Sequence, residues 1–204
     1  MKEYVVKSSL SLIKKYNPTI DQISLAEIEY GLVGIYLTIT KLIVIFLIAC
    51  ILKIIPEVFI FMIVFNIIRT CSFGLHATKS WICLISSILI FILVPIVCQY
   101  AILSSNSKLL IGIITIFFIY KNSPADTYKR PIVDAQRRKI YKLLSTIIVI
   151  NFTIFALCIN NNFVSNCFIF APIVQCFLIS PMVYKFFHLP YDNYKTYLAS
   201  TNIS

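Results

Sequence analysis

Six apolar blocks, at residues 30–52, 54–68, 81–103, 109–120, 143–159 and 167–187, constrain this chain more than any other feature of it. A helix needs about 20 apolar residues to cross a bilayer. Inside lipid the backbone must satisfy its own hydrogen bonds, so long apolar blocks of this kind become helices rather than exposed strands. The rest of the composition agrees: 59% of residues are hydrophobic, only 13% are charged, and the mean hydropathy is +0.89. A soluble domain carries about 25% charged residues. The expected fold is therefore all-α, a polytopic integral membrane protein of about six membrane segments.

Five of the six blocks carry an irregularity. Lys41 lies within the first, where a lysine is costly unless it faces the protein interior or snorkels. The second stops short, before Arg69, and can extend over it by snorkelling. Pro95 predicts a kink in the third. The fourth has only 12 residues, so it is re-entrant or borrows flanking residues to cross. Pro172 and Pro181 fall inside the sixth. The organisation read from this pattern is a cytoplasmic amphipathic N-terminal region at 1–29, a transmembrane domain at 30–187 and a cytoplasmic C-terminal tail at 188–204. In the first of these Asn17 and Pro18 form a break, and Asp21 or Ser24 can cap the helix that follows.

Charge orients the spans. Residues 121–142 hold seven basic side chains against Asp126 and Asp134, whereas the linker at 160–166 has none. The positive-inside rule puts the first of these connections in the cytoplasm. Six spans then place both termini and the 69–80 connection on that side too. The same bias accounts for the net charge of +10 without nucleic acid, since no basic surface with interleaved aromatics lies outside the apolar blocks. Seven cysteines, an odd number without paired spacing, do not make a disulfide framework. No Cys/His cluster calls for a metal, and nothing calls for a cofactor.

The stretch RTCSFGLHATKSWIC, residues 69–83, is where reactive groups interrupt the apolar pattern. His76 can act as a base near neutral pH. Cys83 is intrinsically nucleophilic. On one straight helix residues seven apart are separated by about 10.5 Å along the axis. The two can meet only if His76 sits in a turn that folds back over the start of the third span, and Gly74 supplies the break for such a turn. Cys83 would then lie among unpaired N–H groups that favour a thiolate and a developing oxyanion. Spacing alone leaves the bland reading open as well: an interfacial histidine and a buried cysteine.

The segment resembles the signature of the accessory gene regulator B family, membrane peptidases of Gram-positive quorum sensing. Arg69, Gly74, His76, Ala77 and Cys83 stand in the family's order, with Phe73 where the family often has a first glycine. The loop YKNSPADTYKRP, with Tyr120, Pro124, Ala125, Asp126, Lys129 and Pro131, resembles the family's second conserved loop. The resemblance covers essentially the whole chain. It implies a cysteine endopeptidase of the cell membrane that cuts the C-terminal tail from a small amphipathic AgrD-like propeptide, with its site toward the cytoplasmic face. Cys83 would attack, His76 would take the proton, and a cysteine or serine of the propeptide would resolve the acyl-enzyme to close a thiolactone or lactone ring. Arg69, Asp126, Lys129 and Arg130 are the candidates for oxyanion or substrate contact, Asp126 also for orienting His76. Asn66 and Ser80 are weaker third members. The short helices and a substrate lying on the bilayer admit a homodimer. The alternative is a small membrane transporter or channel component, with Lys41, Pro95, Pro172 and Pro181 marking broken helices.

Overall fold

A computed structural model describes residues 2–17, 20–75, 80–127 and 131–201. Every named element among them is helical, and an isolated parallel bridge joins Phe73 and Ala125. The chain forms two compact units, 1–51 and 52–204. Among the described residues, five helical stretches are long and apolar enough to cross a membrane: Ser24–Ile51, Ile55–Ser72, Trp81–Tyr100, Ala135–Cys158 and Asn162–Ile179.

In the first unit, α1 (Lys2–Tyr16) packs against α2 (Gln22–Ile51). Of the two candidate caps, Asp21 takes the role, its carboxylate accepting the Ser24 N–H at 3.3 Å. Ser24 and Glu27 fall inside the helix instead.

The second unit contains α3 (Ile55–Ser72) and then a segmented helix: α4 (Ser80–Ile88), a π-helical turn (Leu89–Leu93) and α5 (Val94–Tyr100). After it come α6 (Ser105–Asn122), α7 (Ala135–Cys158), α8 (Asn162–Ile179), α9 (Pro181–Phe186) and α10 (Asn193–Thr201). Helix α3 runs over Arg69, as the short second block required. The kink expected at Pro95 takes the form of the π turn just before it. Proline cannot donate to the preceding turn, and a widened turn absorbs the misfit.

Helix α6 has 18 residues because the polar ends SNSK and KN extend its 12 apolar ones, and Ser104 caps it by accepting the Ser107 N–H. At 1.5 Å per residue it is about 27 Å long. The sixth block breaks earlier than expected. Helix α8 stops at Ile179, Ser180 is extended (φ −66°, ψ 128°), and Pro181 opens α9. A proline disfavours helical geometry in the residue before it, which is why the break falls there.

Helix α8 sits at the centre of the second unit, touching α3, α5, α6 and α7. The inward stripe of α3, with Val58, Phe61, Phe65 and Ile68, follows helical spacing, and Phe61 and Phe65 meet Phe91 of the π turn edge-on. Outward positions such as Ile63, Ile67, Ile113, Ile114 and Phe117 are exposed and apolar. The interior in turn holds Ser72, Thr115, Ser145, Thr153, Ser165, Asn166 and Gln175. Lipid offers no hydrophobic drive between helices, so small residues and polar contacts take up that task. A Cβ on Gly112 would lie 2.3 Å from Thr153 Cγ2, so α6 meets α7 at a distance only glycine permits.

The polar contacts segregate to the two ends. At one end Asn166 donates to the carbonyls of Cys98 and Ala101, and buried Lys108 donates to Ser165 Oγ at 2.7 Å. The other end gathers the C-termini of α3, α6 and α8 with the starts of α4 and α7.

Candidate active site

The site is built on the exit of α3. Phe73 (φ 56°, ψ −128°) and Gly74 (φ 111°) turn the chain back at the C-terminus of the helix. Three neighbours hold this turn. The Gly74 N–H donates to Ala125 O at 2.9 Å, and the Ala125 N–H donates to Ser72 O at 3.1 Å. The Leu75 N–H donates to Leu178 O at 3.0 Å, and Gln175 Nε2 donates to Phe73 O at 2.7 Å. Two of these bonds satisfy carbonyls, those of Ser72 and Phe73, that the end of the helix leaves unpaired.

Glycine is required at 74 on two counts. Its φ lies where L-residues are strained, and a Cβ there would stand 2.9 Å from Arg69 Nη1 and 3.0 Å from Leu178 O. Phe73 has a conformation that usually suits glycine, the first central position of a type II′ turn. That gives a physical reason for the glycine often found there in the resembled family. Here the Phe73 ring stacks edge-on against Tyr141, with centroids 5.0 Å apart.

Arg69 lies against this turn. Its Nη2 donates to Leu75 O at 2.7 Å, while Nη1 is buried without a hydrogen-bond partner among the described residues. The guanidinium is within electrostatic reach of Cys83 and of the Tyr184 hydroxyl. Cys83 is a free, half-buried thiol in the first turn of α4. Arg69 and Cys83, two of the sequence-predicted residues, thus lie within electrostatic range of each other. The spare N–H of Arg69 is a donor for a carboxylate or an oxyanion.

The other predicted residues divide. His76, Lys129 and Arg130 lie outside the described residues, as does Lys79. Asp126 is inside the fold and only 3% exposed. Its carboxylate accepts from the N–H groups of Asn193 (3.1 Å), Tyr194 (3.0 Å) and Ile132 (3.4 Å) and pairs with Arg138 Nη1 at 3.3 Å. Its own carbonyl accepts from the Tyr184 hydroxyl and from Asn193 Nδ2. Among the described residues these bonds, and none to Cys83 or Arg69, occupy it. Asn66 and Thr70 lie on the outward face of α3 beside an open apolar groove of about 560 Å³ that Phe59, Met62 and Ile148 also line. Cys71 is half-buried, its sulfur 3.9 Å from Thr70 Oγ1.

Several residues here escape a reading of the sequence. Gln175 has one signal, an amide inside an apolar block. Tyr184, Asn193 and Tyr194 have none, since their partners lie 58 or more positions away. Burial raises the pKa of the Tyr184 phenol and pushes that of Tyr191 up to about 12, with Asp192 adding to the latter. Both stay neutral and donate, Tyr184 to Asp126 O and Tyr191 to Asn122 O.

Comparison with known proteins now adds to this geometry. The family model described as Accessory gene regulator B matches residues 5–179. The chain belongs to this family. An accessory gene regulator protein B of Staphylococcus aureus (strain MW2) is 32% identical over 134 residues, covering 64% of this chain and 72% of that protein. A putative AgrB-like protein of Listeria monocytogenes serovar 1/2a is 30% identical over 190 residues, 91% of each chain. One from Clostridium acetobutylicum is 27% identical over 172 residues, 84% of this chain and 82% of that one. No solved structure matches. As an AgrB-family member with five bilayer-length helices, the chain has a membrane setting and a role in quorum-sensing processing.

Proposed function

We propose that this AgrB-family protein is a membrane cysteine endopeptidase that cleaves the C-terminal tail of an AgrD-like amphipathic propeptide and promotes ring closure. The observation that carries the reading is the half-buried Cys83 thiol in the first turn of α4, within electrostatic range of the Arg69 guanidinium, whose Nη1 is buried without a partner among the described residues.

The Cys83 thiol attacks the scissile carbonyl as His76 takes its proton, and the C–S bond forms. The carbonyl oxygen becomes an oxyanion, for which Arg69 Nη1 and the α4 N–H groups are the available donors. Collapse breaks the C–N bond, and His76 returns the proton to the departing amine of the tail. The N-terminal fragment remains as a thioester on Cys83. A cysteine or serine of that fragment then displaces Cys83 and closes a thiolactone or lactone. The intramolecular nucleophile wins over bulk water because its effective concentration is high.

Orientation follows from charge. Lys121, Arg137, Arg138, Lys139, Lys142 and Lys185 all belong to the end that carries Cys83, and the exposed Trp81 suits the headgroup layer there. That end faces the cytoplasm, and its basic residues, with Lys129 and Arg130 in the neighbouring loop, attract an acidic propeptide tail. The test is cleavage of the propeptide encoded beside the gene. His76→Ala and Cys83→Ala each abolish it without preventing membrane insertion, and Cys71→Ser is mild. A transporter would keep its activity in Cys83→Ala, and full cleavage by that variant would end the peptidase reading.

A further inference from the structure

Helix α8 nearly fills the bilayer core by itself. Its 18 residues, at 1.5 Å each, span about 27 Å, against a hydrocarbon thickness of about 30 Å. The residues after Ile179 therefore reach the headgroup layer, yet several of them are apolar and point outward. Met182 is 81% exposed, Phe186 is 78% exposed, and Phe187 is exposed as well. At about 100° per residue Met182 and Phe186 share one edge of α9, and Tyr184 points the opposite way. Tyr184 is only 2% exposed, with its hydroxyl donating to Asp126 O at 3.2 Å and its ring edge-on to Tyr191. That attachment fixes which edge of the helix faces out. Lys185, exposed, lies beside the apolar edge.

An exposed apolar edge on a folded protein marks a contact surface. Three observations name lipid as its occupant. The apolar surface carries on along the chain from Phe177, which is exposed on the last turn of the bilayer-length α8. The same end of the bundle presents two more exposed rings, Trp81 at the start of α4 and Tyr120 near the end of α6, and such rings favour the headgroup level. Lys185 can lay its stem along apolar surface while its ammonium meets a lipid phosphate. We propose that α9, together with Phe187, is an interfacial anchor. Met182, Phe186 and Phe187 sit at the headgroup–acyl boundary of the leaflet at the Cys83 end, while Tyr184 holds the opposite face of the helix to Asp126. The anchor ties the candidate site to the lipid surface, because Asp126 follows Ala125, which is bonded to Ser72 and Gly74.

Trp81 is the chain's only tryptophan, so a single indole can be moved onto α9. The experiment places full-length Trp81→Phe/Met182→Trp and Trp81→Phe/Phe186→Trp in phosphatidylcholine vesicles brominated at either the shallow or the deep end of the acyl chains. Tryptophan emission is followed with each lipid, and with acrylamide added to the water. Both indoles should be quenched more by the shallow bromines than by the deep ones and be shielded from acrylamide. Quenching of either indole by acrylamide, with no effect of the bromines, puts α9 in water and overturns the anchor. Stronger quenching by the deep bromines overturns the boundary placement. Shielding from bromines and acrylamide alike overturns the choice of lipid and makes a protein the occupant. If one variant does not insert, the other decides alone.

Discussion

Substituting Gly74 by alanine applies one methyl group to the turn on which the site depends. The new Cβ would stand 2.9 Å from Arg69 Nη1, 3.0 Å from Leu178 O and 3.1 Å from Ile179 Cγ2. The Leu178 oxygen is backbone and already accepts the Leu75 N–H, so it cannot retreat without breaking that bond. The φ of 111° adds strain of about 1–3 kcal/mol for a non-glycine residue. Overpacking adds about 1–3 kcal/mol more if nothing moves. The expected loss of stability is therefore about 2–6 kcal/mol, relieved in part if the turn shifts and pushes Arg69 aside. A shift of about 1 Å in a group that positions chemistry can cost about a hundredfold in rate. Thermal unfolding in detergent reads the first effect and propeptide cleavage in vesicles the second, with Gly34→Ala as control. No described atom lies within 4 Å of a Cβ at Gly34, which is helical, so alanine there should be neutral or stabilising by up to about 1 kcal/mol. Wild-type stability and cleavage in Gly74→Ala would refute the close packing of Arg69 and Leu178 on the turn.

Other expectations follow from the same geometry. Gln175→Leu leaves the buried Phe73 carbonyl without its donor and should destabilise the protein by about 1–3 kcal/mol, with reduced cleavage, by thermal unfolding and the vesicle assay. The Tyr191 phenol is held neutral in the fold, so its contribution is whole below the ordinary tyrosine pKa near 10 and is lost as pH rises toward about 12. Spectrophotometric titration should show late phenols in wild type, Tyr184 among them, and one fewer in Tyr191→Phe. Cysteine placed at Asp134, the exposed cap of α7, should be labelled by a membrane-impermeant reagent only after cells are opened, and strong labelling of intact cells would invert the topology.

Much of this architecture can be read from hydropathy, because lipid penalises every alternative to a helix. The helical break ahead of Pro181 follows from proline sterics, whereas α3 extends over Arg69 not by snorkelling but with the guanidinium donating to Leu75 O. Helix α6 is harder to read, since its length depends on the polar ends SNSK and KN, which hydropathy discounts. The reactive stretch at 69–83 stands out as polar residues between apolar blocks, and the need for a turn at Gly74 follows from the distance between His76 and Cys83 on a straight helix. The role of Asp126 was not legible. An acid after Pro124 looks like a solvated loop residue, and only the fold shows that its partners are backbone N–H groups 67 and 68 positions away. Backbone donors carry no sequence signal, so Asn193 and Tyr194 leave none. Gln175 gives a faint one, as an amide in a span, but its target is a carbonyl 102 positions distant.

The central claim is that Cys83 carries the propeptide as a thioester, and trapping that species tests it most directly. A propeptide whose ring-forming cysteine or serine is replaced can undergo the first attack but not the second. Wild-type protein incubated with it should accumulate a covalent adduct on Cys83, visible by non-reducing gel and mass spectrometry and released by hydroxylamine. Cys83→Ala should form none. Tail cleavage by wild-type protein under rapid quench, with no hydroxylamine-sensitive adduct at any time, would contradict the account and leave His76 activating water in its place.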